Sequence, residues 1–222
     1  NKKEYRPLTM PQVTWNRDTL THKYGEMIAQ PLEPGFGVTL GNALRRVLLG
    51  GIEGSAVTSV VIKGVNNEFS VLPGVVEDVM QLLLNIKQIV IRNKTGESGT
   101  MSLDITGEKI VTVADIKADN HLELINKDQI LAHVSPGGLL HMTLVVESGR
   151  GYRAAQWPAN KSLQDDGRIY VDAMFSPIRK ISIDVEKTRV EKEIDYDKLI
   201  MHIYTDGSET PSDALNYAVS VL

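Results

Sequence analysis

The sequence predicts an α+β fold in which helices near both ends flank a long strand-rich middle. Three observations carry this. Val-, Ile-, Thr- and Tyr-rich runs dominate the chain, three stretches instead repeat their apolar residues at helical spacing, and no regular β-α alternation builds a parallel sheet. Two of the helical stretches lie near the ends, so the pattern fits layered α+β packing and equally permits an insertion, with both ends forming one domain around a separate middle.

The predicted strands are Leu20 to Ile28, Ala56 to Ile62, Thr100 to Ile105, Leu139 to Val146, Ile169 to Phe175 and Lys180 to Val185. Gly96-Glu97-Ser98-Gly99 and Pro136-Gly137-Gly138 punctuate them. The first helix follows Pro34-Gly35. Its stripe of Phe36, Leu40, Ala43, Leu44, Val47 and Leu48 stops at Gly50-Gly51. The second follows Pro73-Gly74, with Val75, Val76, Val79, Leu82, Leu83 and Ile86 as its stripe. Glu77 and Asp78 are expected in its first turn and Lys87 near its end, matching the helix dipole. The third starts with Thr210 as N-cap and Pro211 at the first helical position, followed by Ala214, Leu215, Ala218, Val219 and Leu222. That stripe reaches Leu222 without a C-cap signal, so the natural polypeptide is expected to continue.

Composition narrows the function. Of 222 residues, 42% are hydrophobic and 23% charged, which is ordinary globular usage. The absence of cysteine removes disulfides, thiolate metal sites and cysteine nucleophiles. The chain carries 24 basic and 28 acidic residues, net −4, which disfavours a nucleic-acid-binding module that grips with a broad basic face. No apolar run reaches the ~18 residues of a membrane-spanning helix.

Gly35-Phe36-Gly37-Val38-Thr39-Leu40-Gly41 looks superficially like a dinucleotide loop, but its third glycine comes one position late and Phe36 and Leu40 belong to an apolar stripe. His22, His121, His133, His141 and His202 show no metal-ligand spacing. Glu77-Asp78 and Asp165-Asp166 are adjacent carboxylates that point apart. No catalytic residue or metal site is therefore assigned, and a free-standing β-rich enzyme is the weaker alternative. Arg45-Arg46 flanks the first apolar stripe, as two snorkelling side chains or as an interface fork. Gly149-Arg150-Gly151-Tyr152-Arg153 reads as a flexible strand end rather than a phosphate turn. The first and third helices can pack within one chain or against their copies across a dyad.

The run Pro31-Leu32-Glu33-Pro34-Gly35-Phe36-Gly37-Val38-Thr39-Leu40-Gly41-Asn42-Ala43-Leu44-Arg45-Arg46-Val47-Leu48-Leu49 resembles the alpha subunit of bacterial-type RNA polymerase, in its amino-terminal domain. The resemblance continues at Val65 to Ser70, Pro73-Gly74-Val75, Glu77 to Val79, Leu84 to Lys87, Gly149 to Tyr152, Val171 to Ala173, Phe175 to Pro177, Asp195 to Leu199, Thr205 to Ser208 and Pro211. It implies a discontinuous dimerisation domain, residues 1–53 and 177–222, built as a sheet plus two long helices. It implies an inserted β-rich domain at 54–176.

The resemblance further implies a non-catalytic, cofactor-free scaffold that homodimerises and binds the beta and beta-prime subunits. The active-site aspartates and magnesium would belong to beta-prime. Phe36, Leu40, Ala43, Leu44, Val47, Leu48, Leu215, Ala218, Val219 and Leu222 would form the dimer interface. Arg45, Arg46, Leu49, Glu68, Phe69 and Ser70 would meet beta, and Lys87, Ile178 and Lys198 beta-prime. Promoter DNA would be met only through a carboxy-terminal domain beyond Leu222, and the setting would be cytoplasmic, at the nucleoid, or plastid. Gly50-Gly51 departs from the family's usual serine pair, Asn66-Asn67 from a usual Leu-His, and Gln156 to Gly167 matches poorly, so no contact is carried over there.

Overall fold

The computed structural model describes residues 10–157 and 167–222. The chain is α+β. It opens with strand β1 (Gln12–Trp15), strand β2 (Tyr24–Leu32) and helix α1 (Phe36–Gly50). Then come β3 (Glu53–Ile62), α2 (Val79–Ile86), β4 (Ile91–Asn93), β5 (Gly99–Thr106), β6 (Lys109–Thr112) and β7 (Lys117–Ala118). These lead to β8 (Leu122–Leu124), β9 (Ile130–Val134), β10 (Leu139–Arg150), β11 (Tyr152–Arg153), β12 (Ile169–Tyr170) and β13 (Ala173–Met174). A long hairpin of β14 (Ile178–Val190) and β15 (Glu193–Thr205) precedes α3 (Pro211–Val221). By contact density the chain forms two compact units, one of the described residues up to Ile52 with Pro177–Leu222, the other Glu53–Ser176.

The first unit is an antiparallel sheet in the order β1-β2-β15-β14, with α1 and α3 packed on it and on each other. Met27, Ala29, Leu199, Met201, Ile203 and Ile181 line the helix-facing side, against Leu44 and Leu48 of α1 and Ala214, Leu215 and Ala218 of α3. The first half of α1 approaches the sheet at glycines. A Cβ at Gly37 would stand 2.9 Å from a Val185 methyl, and one at Gly41 3.0 Å from an Ile183 methyl. The glycines that look like a nucleotide loop in sequence are thus the helix-to-sheet contact.

The second unit has a larger sheet in the order β7-β5-β10-β3-β4-β8, with β12 also pairing β3. Its core includes Val60, Leu103, Leu140 and Leu144, together with Val79, Leu82 and Ile86 of α2. β6-β9 and β11-β13 form two smaller ladders.

Several elements differ from the sequence prediction. β2 starts at Tyr24, not Leu20, because the Thr21 hydroxyl accepts the Lys23 and Tyr24 amides in a turn. α2 starts at Val79. Val75 instead bridges Val134, and the Val76 amide donates to the His133 carbonyl, so β9 satisfies backbone groups that a helix would have used. Glu77 consequently lies outside the helix and Asp78 is its N-cap, accepting from the Gln81 amide at 2.7 Å. Ile169 to Phe175 is two short strands rather than one. β14 extends to Val190, well beyond the expected Val185, because it pairs along its length with β15.

Candidate protein-interaction surfaces

α1 has three kinds of surface. Gly37, Gly41, Leu44 and Leu48 face the sheet and are buried. Phe36, Leu40, Ala43 and Val47 form a flank beside them. Phe36 is 48% exposed, while Leu40, Ala43 and Val47 are half-buried. On the other flank Val38 is 54% and Leu49 37% exposed, next to Arg45. At about 100° per residue, Arg46 points roughly away from the sheet. Both arginines are exposed, and among the described residues neither makes an ion pair. α3 repeats the division: Pro211, Ala214, Leu215 and Ala218 are buried, while Val219 and Leu222 are exposed.

Four residues of the expected interface are buried within the chain itself. Leu44, Leu48, Leu215 and Ala218 are at most 3% exposed and belong to the core of their own subunit, so they have no surface to offer a second copy. The periodicity merges two adjacent stripes, one facing the sheet and one flanking it. Phe36, Leu40, Ala43, Val47, Val219 and Leu222 remain accessible. Ile178, expected at beta-prime, is 5% exposed and packs in that core. Lys198 is half-buried with its amino group 4.0 Å from Glu186.

In the second unit, the Asn67 side-chain carbonyl accepts the Phe69 amide at 2.9 Å and closes a tight turn. The turn leaves Phe69 74% exposed, with Ser70 half-buried beside it and Val71 exposed after it. Glu68 lines a cleft of about 300 Å³ together with Met80, Leu83, Leu84, Lys87, Trp157, Tyr170 and Asp172. The Trp157 and Tyr170 rings meet edge-on at 5.1 Å. Hydrogen bonds from the Ala155 amide and the Tyr152 hydroxyl, with Lys87 nearby, hold the Asp172 carboxyl below its ordinary range.

Three of the histidines have side-chain partners. The Tyr24 hydroxyl lies 2.7 Å from His202 Nδ1, and Asp104 lies 3.0 Å from His141. Glu77 accepts both the backbone amide and the ring nitrogen of His133. Burial pushes the Glu77 carboxyl up, but the His133 contacts outweigh it and the net value is lowered. Among the described residues no group of three His, Asp or Glu side chains could hold a metal, and no helix is long and apolar enough to cross a membrane. Asp165-Asp166 lies outside the described residues. Arg153 pairs with Glu147 at 2.8 Å and stacks over Phe175, so this segment is a packed strand end.

One charged residue escaped individual notice within the Asp195 to Leu199 motif. The Asp197 side chain is 3% exposed. Its Oδ2 accepts the Gly35 and Gly37 amides at 3.0 and 3.1 Å, and its Oδ1 the Lys187 ammonium at 3.2 Å. Burial alone would raise its carboxyl, but the Gly37 amide and Lys187 lower it overall. The sequence signal was a helix start, Pro34-Gly35, with no capping side chain of its own.

Comparison with known proteins agrees with this architecture. The RNA polymerase Rpb3/RpoA insert domain family matches residues 60–176. A DNA-directed RNA polymerase subunit alpha from Heliobacterium modesticaldum is 47% identical over 199 residues, covering 90% of this chain and 63% of that protein. The subunits of the same name from Moorella thermoacetica and Carboxydothermus hydrogenoformans are 45% and 41% identical, over 91% and 92% of this chain and 64% and 65% of theirs. The chain thus spans somewhat under two-thirds of the length of these curated relatives. With the insert-domain match across the middle and this level of identity along nearly all of the sequence, the chain belongs to the alpha-subunit family of bacterial-type RNA polymerase.

Proposed function

We propose that this chain is a non-catalytic assembly scaffold of DNA-directed RNA polymerase, which homodimerises and then recruits the two large subunits. The observation that carries the reading is the apolar surface left on α1 and α3 after their buried faces are satisfied: Phe36, Leu40, Val47, Val219 and Leu222. Each large apolar side chain fully buried across a dyad contributes about 1.5–3 kcal/mol, so a handful from each copy suffices for a stable dimer. Arg45, Arg46 and Leu49, on the opposite flank and outer side of α1, stay free to meet beta while the dimer forms. Guanidinium groups suit that role because they fork onto carboxylates and carbonyls. The exposed Phe69, with Glu68 and Ser70, is a second beta contact, and Lys87 and Lys198 are contacts for beta-prime. Polymerisation and its magnesium belong to the large subunits in this reading.

Sedimentation of the wild type, Phe36→Glu and Val219→Glu tests the dimer. The two exposed positions tolerate a charge in the monomer, so the variants should fold yet sediment as single chains. A wild type that stays monomeric at tens of micromolar, or variants that stay dimeric, would refute it. Arg46→Ala should dimerise normally and lose capture of beta, and retained capture would remove that contact.

A further inference from the structure

We infer that Asp197 is a positioning residue for α1: from strand β15 it caps the start of that helix and thereby sets the surface the helix offers to a second copy. The inference rests on the dimer reading above and names what holds the interface in place. Helices normally satisfy their first amides with a nearby Ser, Thr, Asp or Asn. α1 has none. Its N-cap is Gly35 at φ 83°, which has no side chain, and its first turn carries no acidic residue. The missing acceptor comes from more than a hundred residues away, through Asp197 Oδ2.

The location of this carboxylate calls for a reason. Asp197 stands in the same helix-facing row as Leu199, Met201 and Ile203, where an apolar side chain would be the ordinary choice. A carboxylate there is costly unless it is paired and hydrogen-bonded. Two helix amides and Lys187, its register partner on β14, supply that pairing. The slot is also fitted to it, since a Cβ at residue 37 would lie 3.0 Å from Oδ2 and 3.1 Å from the Asp197 Cβ. Phe36, assigned above to the dyad, sits between the two amides that Asp197 holds. The carboxylate therefore fixes both the axial position of α1 and the direction from which Phe36 leaves the backbone.

The test uses the 222-residue chain, with amide exchange at Gly35 and Gly37 and the dimer dissociation constant measured well below the melting temperature. In Asp197→Ala, exchange at both amides should rise and the dimer weaken, each by about tenfold, the consequence of removing a charge-assisted acceptor. Asp197→Asn keeps an acceptor but not its charge, so both readouts should move together by about threefold. Lys187→Met removes one of the three partners of the buried carboxylate but neither amide bond, so both readouts should move in the same direction and less than in Asp197→Ala. Leu48→Ala is the control: it destabilises the same unit yet should leave the dimer constant unchanged. The positioning role is overturned if either Asp197 variant frees the amides while dimerising like wild type, or if Leu48→Ala weakens the dimer as much as Asp197→Ala. A wild-type chain that fails to dimerise instead overturns the assembly reading, and the positioning role with it.

Discussion

Replacing Gly37 by alanine puts a methyl group where α1 touches its sheet. The new Cβ would lie 2.9 Å from Val185 Cγ1, 3.0 Å from Asp197 Oδ2 and 3.1 Å from Asp197 Cβ. Val185 is short and β-branched, and the Asp197 Cβ is held by the backbone of β15, so neither neighbour can swing away. Overpacking of this kind costs about 1–3 kcal/mol. Displacing the carboxylate from its amides removes charge-assisted hydrogen bonds valued at about 1.5–3 kcal/mol. Alanine returns at most about 1 kcal/mol of helix propensity. The net expectation is a loss of about 1.5–5 kcal/mol. Gly41→Ala is the comparison: its Cβ would meet Ile183 Cγ2 at 3.0 Å, Leu199 Cδ1 at 3.1 Å and Ile183 Cδ1 at 3.5 Å, so it is crowded too, but no hydrogen-bonded carboxylate stands among its neighbours. There crowding of about 1–3 kcal/mol less a propensity gain of about 1 kcal/mol leaves a loss of about 0–2 kcal/mol, smaller than at Gly37 because no hydrogen bond is displaced. Urea unfolding followed by Trp15 fluorescence, in a Trp157→Phe background, reports on this unit alone. With a slope of about 2 kcal/mol per molar, Gly37→Ala should lower the midpoint by about 0.8–2.5 M. A Gly37→Ala midpoint equal to wild type, or equal losses in the two variants, would refute the close approach and the role of Asp197 within it.

Other perturbations probe separate links. Glu77 is held below the ordinary glutamate value of 4.5, so its ionised form favours the fold; that contribution is complete above about 4.5 and fades as pH falls through the lower folded value. Thermal melts of wild type and Glu77→Gln should therefore converge on acidification, and parallel curves from pH 7 to 3 would contradict the His133 contact. Asp78→Ala removes the side-chain cap of α2 and should cost about 1 kcal/mol, read from urea midpoints; no change would mean the cap is idle. Leu48→Ala empties a position that is fully buried and should cost about 2–5 kcal/mol; a loss under 1 kcal/mol would return Leu48 to the surface.

The starts of α1 and α3 were legible because they are local. Gly35 takes its left-handed conformation without steric cost, and Thr210-Pro211 carries both an N-cap and a first-turn residue in adjacent positions. The start of α2 was not legible. Val75 and Val76 continue the helical period, and only their pairing with β9 draws them out of the helix. β15 was missed because both of its faces carry apolar residues, Leu199, Met201 and Ile203 on one and Ile200 and Tyr204 on the other, which erases the alternation of a half-buried strand.

What the sequence by itself determined is the α+β class, the position of three helices, the lack of recognisable catalytic spacing, and a family resemblance spread along the chain. Those properties reside in neighbouring residues and in residue identity, so a linear reading reaches them. The tertiary structure decided which apolar stripe of α1 is core and which is surface, because a 3.6-residue period gives the direction of a side chain but not what stands opposite it. It also decided that Asp197, distant in sequence, caps that helix, since a hydrogen bond depends on separation in space and leaves no mark on separation along the chain.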